Sequence, residues 1–243
     1  MIITSLNNKQ VMYACSLKEK KYREKEGKYL IEGDHLIEMA NLNDIECIFT
    51  TDTNFKASYP IYYVSDKVLE KISFTKSPQN KIAIMRKKQD TLTYDQSKYL
   101  LLDNVSDPGN VGTIIRSSLA FGIDYVVLSK GSVDIYNDKV IRGSQGAFFK
   151  CKVVYADLLE TIHNLKKQNV KIIASTLNKN SINLLDVKEV KKYALIVGNE
   201  GCGVSKEVIE SADFSVKIAH SKNIDSLNVS VATAIMLHYF ESI

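Results

Sequence analysis

The second half of the chain alternates short apolar runs with segments of helical periodicity. Apolar, β-prone runs occur at residues 99–102, 125–128, 152–155, 171–175, 193–197 and 214–218. Helical patterns lie between and after them, at residues 111–121, 157–168, 205–212 and 229–240, with a short helix and a glycine break inside 137–149. Nearly continuous apolar strands separated by helices are typical of a parallel sheet that is covered on both faces. We therefore predict an α/β domain at residues 97–243.

The first part of the chain also alternates strands with helices. Strands are predicted at residues 29–32, 45–50, 61–64 and 81–85, and helices at 34–41 and 66–72. This order favours a small α/β layer domain. The polar stretch at residues 88–98 has no apolar periodicity, so we place a boundary there, between a domain at residues 1–92 and one at residues 97–243.

A glycine-rich loop follows the strand predicted at residues 193–197. Gly198, Gly201 and Gly203 fall within six residues, and glycine permits turns and close approaches that a Cβ forbids. A strand, a glycine turn and a helix in this order point backbone N–H groups toward a ligand, although an ordinary tight turn has the same pattern. The spacing matches neither a phosphate-binding P-loop nor the dinucleotide motif G-x-G-x-x-G, which argues against a dehydrogenase.

Two further loops of this kind follow predicted strands. Residues 103–110 (DNVSDPGN) lead into a helix for which Pro108 is a suitable start. Ser226 is a suitable N-cap for the helix at residues 229–240, and Asn228 falls in its first turn. Ligands of open α/β sheets collect at the carboxyl ends of the strands. The three loops together therefore predict one ligand site.

Composition and charge narrow the class of protein only a little. A chain of 243 residues, 45% hydrophobic and 25% charged, can bury a core without covalent staples. The net charge of +4 permits a nucleic-acid partner without requiring one. The cysteines and histidines are scattered, with no Cys-x-x-Cys pair and no metal-ligand spacing, and no long apolar span is present. These features predict a cytoplasmic protein with reduced thiols, no metal and no membrane association.

Three short motifs occupy the three loops and the elements beside them. They are residues 110–116 (NVGTIIR), 195–201 (LIVGNEG) and 226–232 (SLNVSVA). In order and separation they resemble the motifs of the SpoU/TrmH family of RNA 2′-O-ribose methyltransferases, over about residues 97–243. The chain departs from the family just before the third motif, where Ile218-Ala219-His220-Ser221-Lys222 replaces the usual Ile-Pro-Met and glycine. In the family this loop borders the cofactor site.

The resemblance implies a fold and a cofactor. The fold is a C-terminal parallel-sheet domain of the SPOUT superfamily with a deep trefoil knot, preceded by a small α/β RNA-binding domain like certain ribosomal proteins. The cofactor is S-adenosyl-L-methionine, bound in the knot mainly by backbone groups. The implied cofactor-binding residues are Gly198, Ile218 and Leu227, with Asn199 and Gly203 in the same loops. The resemblance also implies a homodimer through the C-terminal domain, with active sites that use both chains.

The implied reaction is methyl transfer to a ribose 2′-OH, with Asn110, Arg116, Glu200, Ser226 and Asn228 as catalytic residues. The family assigns activation of the hydroxyl to the position of Arg116. Because a guanidinium keeps its proton in proteins, we expect Arg116 instead to orient a phosphate and stabilise the forming alkoxide. Glu200 would orient Arg116 or the ribose, and the other three would donate or accept neutral hydrogen bonds. Helix capping is the alternative role for Glu200 and Asn228, and a partly buried side chain reaching the surface is the alternative for Arg116.

Contacts with RNA are predicted in two places. Lys20, Lys21 and Arg23 belong to a basic, tyrosine-containing stretch at residues 9–28. Cations neutralise phosphates and aromatic rings stack on unpaired bases, although a solvated helix surface has the same composition. Arg142 lies in a stretch that is similar to the family's (RGSQGAFF), and either contacts a phosphate or forms a surface salt bridge.

The predicted substrate is structured RNA. The attached N-terminal domain favours ribosomal RNA over transfer RNA, by analogy with modules that bind folded RNA. Two alternatives stay open, a transfer-RNA 2′-O-methyltransferase and an RNA-binding protein without catalysis on the same fold. The presence of both Arg116 and Asn228 argues against the non-catalytic alternative.

Overall fold

The computed structural model describes residues 2–243, which form two compact units. The first unit comprises the chain up to Gln89 together with Tyr136–Arg142, and the second comprises Asp90–Ile135 and Gly143–Ile243. The division into residues 1–92 and 97–243 stays a prediction of domain organisation. The compact units differ from it by residues 136–142, which group with the first unit.

The first unit is built on a four-stranded sheet. Its elements up to Gln89 are α1 (Lys9–Ser16), α2 (Lys20–Glu26), β1 (Lys28–Glu32), α3 (Asp34–Met39), β2 (Ile45–Thr50), β3 (Ile61–Tyr63), α4 (Asp66–Ile72) and β4 (Lys81–Arg86). The strand order is β1-β4-β2-β3, in which β4 is antiparallel to both of its neighbours and β3 is parallel to β2. The core contains apolar side chains from two helices and the strands, among them Val11, Leu30, Phe49, Ile72 and Ile82.

The rest of the chain continues the alternation of strands and helices. Its elements are β5 (Lys98–Asp103), α5 (Pro108–Ala120), β6 (Tyr125–Leu128), α6 (Asp138–Ser144), β7 (Lys152–Tyr155), α7 (Leu158–Lys167), β8 (Lys171–Ser175), β9 (Ile182–Asn183), β10 (Tyr193–Gly198), α8 (Lys206–Glu210), β11 (Phe214–Lys217) and α9 (Val229–Ser242). The strand β9 was not predicted, since two residues are too few to give a period.

The strands of the second unit form one parallel sheet in the order β7-β6-β5-β10-β8-β11-β9. The predicted α/β class and parallel sheet are therefore confirmed. The strand β10 lies between β5 and β8 although it follows both along the chain, and its last residue, Gly198, pairs with Asp103. Strand order alone does not define how a chain threads, so the trefoil knot stays a prediction.

The interior strands β6 and β10 of this sheet are buried along their whole length, and β5 is buried except at Lys98. Helices cover both faces, so side chains that point up and side chains that point down both enter a core. One core cluster contains Tyr99 and Leu101 of β5, Val127 of β6, Ile172 of β8 and Ile196 of β10. This burial accounts for the continuous apolar runs in the sequence, and it leaves the polar chemistry to the loops at the strand ends.

The segment Tyr136–Arg142 packs within the first unit. The centre of the Tyr136 ring lies 4.8 Å from the centre of the Tyr29 ring. The hydroxyl of Tyr136 donates a hydrogen bond to the carbonyl of Lys88 at 3.0 Å. The ammonium of Lys87 lies 4.6 Å from the centre of the same ring. The first unit is therefore discontinuous in sequence.

Candidate active site

The site begins with the loop between β5 and α5. Asp107 is the N-cap of α5, and its carboxylate accepts a hydrogen bond from the backbone N–H of Asn110 at 2.8 Å. Pro108 is the first residue of the helix, as the sequence predicted. The cap fixes the first helical turn and thereby the direction of the Asn110 side chain. Asp107 was not predicted as a site residue, although an Asp directly before Pro is a recognisable cap signal.

Glu200, in the loop after β10, is bonded to this first turn. Its Oε1 accepts from the Asn110 side-chain amide at 2.9 Å and from the Asp107 backbone N–H at 3.1 Å. Its Oε2 accepts from the Ser106 hydroxyl at 3.2 Å. Partial burial acts to raise the pKa of Glu200, but the Asn110 amide and the backbone N–H groups of Glu200, Asp107 and Ser106 outweigh it and lower the pKa. The carboxylate is therefore held ionised.

Asn228 is the N-cap of α9. Its Oδ1 accepts hydrogen bonds from the Ser230 backbone N–H at 2.9 Å and from the Ser230 hydroxyl at 2.7 Å. The prediction that Ser226 caps this helix was wrong, because the chain becomes helical two residues later and Asn228 provides the acceptor. The other end of the same amide, Nδ2, donates to Oδ1 of Asn110 at 2.9 Å. The Asn228 side chain therefore both caps α9 and forms a hydrogen bond with Asn110.

Asn228, Asn110 and Glu200 thus form a continuous hydrogen-bonded chain across three loops. The structure brings together three of the five residues predicted to be catalytic. Ser226 is exposed and lines the cavity described below. Arg116 is exposed on α5, and none of the described residues forms a hydrogen bond or ion pair with it. Glu200 is therefore not bonded to Arg116 within the described chain, and the role predicted for Arg116 stays a prediction.

The glycine-rich loop after β10 is closed on itself. A Cβ on Gly198 would lie 2.1 Å from the carbonyl carbon of Gly203, so only glycine fits at this position. The backbones of Asn199 and Gly203 exchange two hydrogen bonds, of 3.0 and 2.9 Å. The Asn199 Oδ1 accepts from the backbone N–H groups of Gly201 and Cys202 at 2.9 and 3.1 Å. The loop N–H groups are therefore used internally, which differs from the expectation that they point at a ligand.

A cavity of about 540 Å³ lies beside this loop. All five residues predicted to bind the cofactor line it, as do Glu200, Ser226 and Asn228. A volume between about 300 and 1,000 Å³ is typical of small-molecule sites. Five lining residues that end or follow strands β8 and β11 were missed: Ser175, Thr176, Leu177, Asn178 and Lys217. Their position at the carboxyl ends of strands was the available signal. His220, which also lines the cavity, belongs to the loop that the resemblance placed beside the cofactor.

The residues predicted to bind RNA have different surroundings. Lys20 and Lys21 are exposed, and each forms a surface ion pair, with Glu24 at 3.6 Å and Glu19 at 3.0 Å respectively. The prediction for Arg23 was wrong, because it is only 5% exposed and its Nη1 donates to backbone carbonyls at 2.6 and 3.0 Å.

Arg142 forms the surface salt bridge that was its alternative role. Its Nη2 lies 2.7 Å from Oδ2 of Asp138, one turn earlier in α6. Contact with an RNA phosphate therefore stays a prediction for Lys20, Lys21 and Arg142.

Within residues 2–243, no three His, Cys, Asp or Glu side chains gather in a way that could hold a metal ion. No helix of the described chain combines the length and the apolar composition of a membrane span. The four cysteines are present as reduced thiols.

Comparison with known proteins agrees with the motifs. The SpoU rRNA Methylase family model matches residues 97–238, and a model of the MRM3-like substrate binding domain matches residues 8–83. A relative from Bacillus subtilis (strain 168), the 23S rRNA (guanosine(2553)-2′-O)-methyltransferase RlmP, is 34% identical over 244 residues, which cover 98% of each chain.

Solved structures are similar over the whole chain. An AdoMet-bound rRNA methyltransferase from Sinorhizobium meliloti has a TM-score of 0.90 at 26% identity, over 100% of this chain and 97% of that one. An RNA 2′-O ribose methyltransferase has a TM-score of 0.84 at 30% identity, over 100% and 98% of the two chains. The chain belongs to the SpoU rRNA methylase family of S-adenosylmethionine-dependent RNA 2′-O-methyltransferases.

Proposed function

We propose that this chain methylates a ribose 2′-OH in ribosomal RNA, with the large-subunit RNA as the first candidate. The observation that carries the proposal is the hydrogen-bonded chain of Asn228, Asn110 and Glu200, whose two ends both line the cavity. The choice of ribosomal RNA is supported by the B. subtilis relative, which is named for 23S rRNA and matches over 98% of its length. The substrate-binding family that matches residues 8–83 supports the role of the first unit.

The cavity suits S-adenosylmethionine. Its walls combine apolar side chains, among them Val197, Ile209 and Leu227, with polar groups near Glu200. No described residue hydrogen-bonds the backbone N–H of Leu227, which leaves that group available to an adenine edge. When bound, the cofactor supplies an electrophilic methyl group on a sulfonium sulfur. The residues of the chain would then hold the ribose hydroxyl in line with that methyl and favour the alkoxide. The oxygen–methyl bond would form as the sulfur–methyl bond breaks, and the hydroxyl proton would pass to solvent.

Glu200 acts as a positioning residue in this reaction. Both of its oxygens accept hydrogen bonds, and its pKa is lowered, so it is a poor base for the ribose hydroxyl. It instead fixes the amide of Asn110 together with Asn228. Ser226 adds an exposed hydroxyl at the edge of the same cavity. Neutral hydrogen bonds from these side chains orient the ribose.

Arg116 supplies the positive charge, and it does so for a second copy of the chain. Residues six apart on a helix are turned roughly 120° from each other, so Arg116 does not share the face of Asn110. It is exposed and has no partner among the described residues. We propose that Arg116 of the partner subunit reaches the cavity and stabilises the forming alkoxide and a neighbouring phosphate.

The surface that joins the two copies is the exposed apolar face of α9 and the segment beside it. Val231 and Ile235 of α9 are 49% and 40% exposed, and Leu185 is 72% exposed. The hydroxyl of Tyr239 donates to the carbonyls of Leu185 and Val187 at 3.1 and 2.9 Å, which holds that segment against α9. Clustered exposed apolar side chains mark interaction surfaces. A homodimer in the cytoplasm, where thiols stay reduced, is the proposed working form.

The test has a binding step and a transfer step. Calorimetry with S-adenosylmethionine should give micromolar affinity for the wild type and none for Leu227→Arg, which fills the cavity. Transfer of a tritiated methyl group is then measured into large-subunit, small-subunit and transfer RNA from a strain lacking the gene. Label in large-subunit RNA, lost with Arg116→Ala, supports the proposal. Label in transfer RNA alone would show that the substrate is transfer RNA and not ribosomal RNA. Absence of cofactor binding would favour the alternative of a non-catalytic RNA-binding protein.

A further inference from the structure

Two consecutive residues at the end of β5 hold both ends of the cofactor loop, residues 199–205. The first is Asp103, 3% exposed, whose Oδ2 accepts the backbone N–H of Ser205 at 2.8 Å. The second is Asn104, whose backbone carbonyl accepts Nδ2 of Asn199 at 2.9 Å. The loop that lines the cavity is thus tied to β5 where it begins and where it ends.

The backbone of Asn104 adopts an uncommon conformation. Its φ is 54°, in the left-handed region that non-glycine residues rarely occupy. Its side chain is held on both sides, with Nδ2 donating to Asp103 at 2.9 Å and Oδ1 accepting from the hydroxyl of Ser129 at 3.3 Å. A Cβ on Gly131 would lie 2.0 Å from that Oδ1. Strained residues that are held from several directions occur most often at functional sites.

The bond from Asn104 sets the orientation of the Asn199 amide. With Nδ2 of Asn199 on the Asn104 carbonyl, the opposite atom, Oδ1, faces the N–H groups of Gly201 and Cys202. Those two hydrogen bonds shape the turn that carries Glu200. If the carbonyl of Asn104 moved, the Asn199 amide would lose this hydrogen bond and with it a fixed orientation. The turn at Gly201 and Cys202, which lines the cavity, would then lose its shape as well.

We infer that Asn104 is a positioning residue for cofactor binding, because its left-handed backbone aims its carbonyl at Asn199 and so keeps the cofactor loop in its binding shape. The inference rests on the proposed use of the cavity for S-adenosylmethionine. It assigns the effect to the backbone of Asn104 and not to its side chain. Glycine at this position should therefore keep the cofactor loop in its binding shape, whereas a β-branched residue should not.

The experiment compares Asn104→Gly and Asn104→Val by calorimetry with S-adenosylmethionine and by thermal unfolding without it. Asn104→Gly should bind within about threefold of the wild type, since glycine adopts positive φ freely. Asn104→Val should raise the dissociation constant about tenfold or more, since a β-branched residue resists that conformation.

A matched control separates positioning from general strain. Asn169 also has a left-handed backbone, with φ of 58°, but lies in the turn between α7 and β8, at the end of the sheet opposite the cavity. Asn169→Val should lower the melting temperature as Asn104→Val does, and should leave the dissociation constant unchanged. The inference is overturned if both valine variants affect binding equally, or if Asn104→Gly binds as poorly as Asn104→Val. Absence of binding by the wild type would instead remove the proposed function.

Discussion

Glu200 keeps its charge because donors from a distant part of the chain surround its carboxylate. Glu200→Gln places an amide N–H₂ against some of those donors. We expect methyl transfer to fall about tenfold to a hundredfold, the equivalent of one hydrogen bond to a charged group, while cofactor affinity changes little. The fall in methyl transfer is measured from the initial rates of tritium transfer into RNA. Glu210→Gln, on the exposed face of α8, is the control and should behave as the wild type.

The same carboxylate predicts a pH dependence. Its pKa is lower in the folded chain than in the unfolded one, so its contribution to stability is complete above the ordinary carboxyl value of about pH 4. That contribution is lost as the pH falls through the lowered value. Urea unfolding should therefore show a wild type more stable than Glu200→Gln at neutral pH, with a gap that closes in acid. A gap that widens in acid would contradict the lowered pKa.

Asn228 has two functions that different substitutions can separate. Asn228→Ser keeps a capping acceptor for α9 but is too short to reach Asn110, whereas Asn228→Ala loses both functions. We expect the alanine variant to lose about 1 kcal/mol of stability and the serine variant about half of that or less. Both should lose about tenfold in methyl transfer, the equivalent of one neutral hydrogen bond. Serine activity equal to wild type would show that Asn228 serves as a cap alone.

Most of these site residues could be predicted because they belong to motifs. Three of them, Asn110, Glu200 and Asn228, lie in the three sequence motifs, and hydrogen bonds connect them in the structure. Asn104 and its bond to Asn199 could not be predicted, because a backbone carbonyl has no signature in sequence and the two residues are far apart along the chain. The prediction that Arg23 contacts RNA failed for a related reason. A run of charges does not indicate which side chain turns inward onto backbone carbonyls.

At the scale of elements, the close contact at the end of β10 leaves no room for a side chain. Gly198→Ala would place a Cβ 2.1 Å from the backbone of Gly203, which must then move. We expect cofactor affinity to fall at least tenfold, because the displaced loop lines the cavity. Calorimetry measures the change. Gly122→Ala, in a turn with no atom within 4 Å of the added Cβ, tests whether loss of any glycine has the same effect.

The loop between α4 and β4 is organised by one buried carboxylate. Glu32 is 6% exposed and accepts hydrogen bonds from the hydroxyls of Ser73 and Thr75 at 2.8 and 3.1 Å and from the backbone of Gln79 at 3.0 Å. Glu32→Gln should lower the free energy of unfolding by about 2 kcal/mol. Hydrogen exchange should show faster exchange in residues 73–79. Exposed Glu38→Gln should change neither quantity.

The elements themselves were largely predictable from periodicity. Every strand of the second sheet except β9 was predicted, and the helix starts at Pro108 and Asp66 agree with the sequence patterns. The start of α9 at Val229 agrees with the predicted helix, but the predicted cap was Ser226 in place of Asn228, because both are good caps and propensity does not choose between them. Of these two residues, only Asn228 forms a hydrogen bond with Asn110.

At the scale of the molecule, the apolar face of α9 predicts the assembly. Ile235→Glu places a charge on that face, so we expect light scattering to give a dimer for the wild type and a monomer for the variant at the same concentration. Methyl transfer should be lost, since each site would lack Arg116 of the partner subunit. Leu42→Glu, an exposed apolar position of the first unit, is the matched control and should stay dimeric. A dimeric Ile235→Glu would place the interface elsewhere.

The order of strands in the second sheet lay beyond sequence reasoning. Apolar runs identify strands, but they carry no information on which strand lies beside which, since β5, β6, β8 and β10 all contribute apolar side chains to the same core. The insertion of β10 between β5 and β8 is a result of the structure alone. It is also what places Gly198 opposite Asp103 and so brings the loops after β5 and β10 together.

The discontinuity of the first unit affects how the chain is made. The chain passes from one unit to the other after Gln89, after Ile135 and after Arg142. During synthesis, β5, α5 and β6 emerge before the segment that contributes Tyr136 to the ring of Tyr29. The unit expected to recognise RNA is therefore completed only after part of the catalytic sheet exists. A single cut in residues 90–97 would therefore put Tyr29 and Tyr136, which belong to one compact unit, on different pieces of the chain.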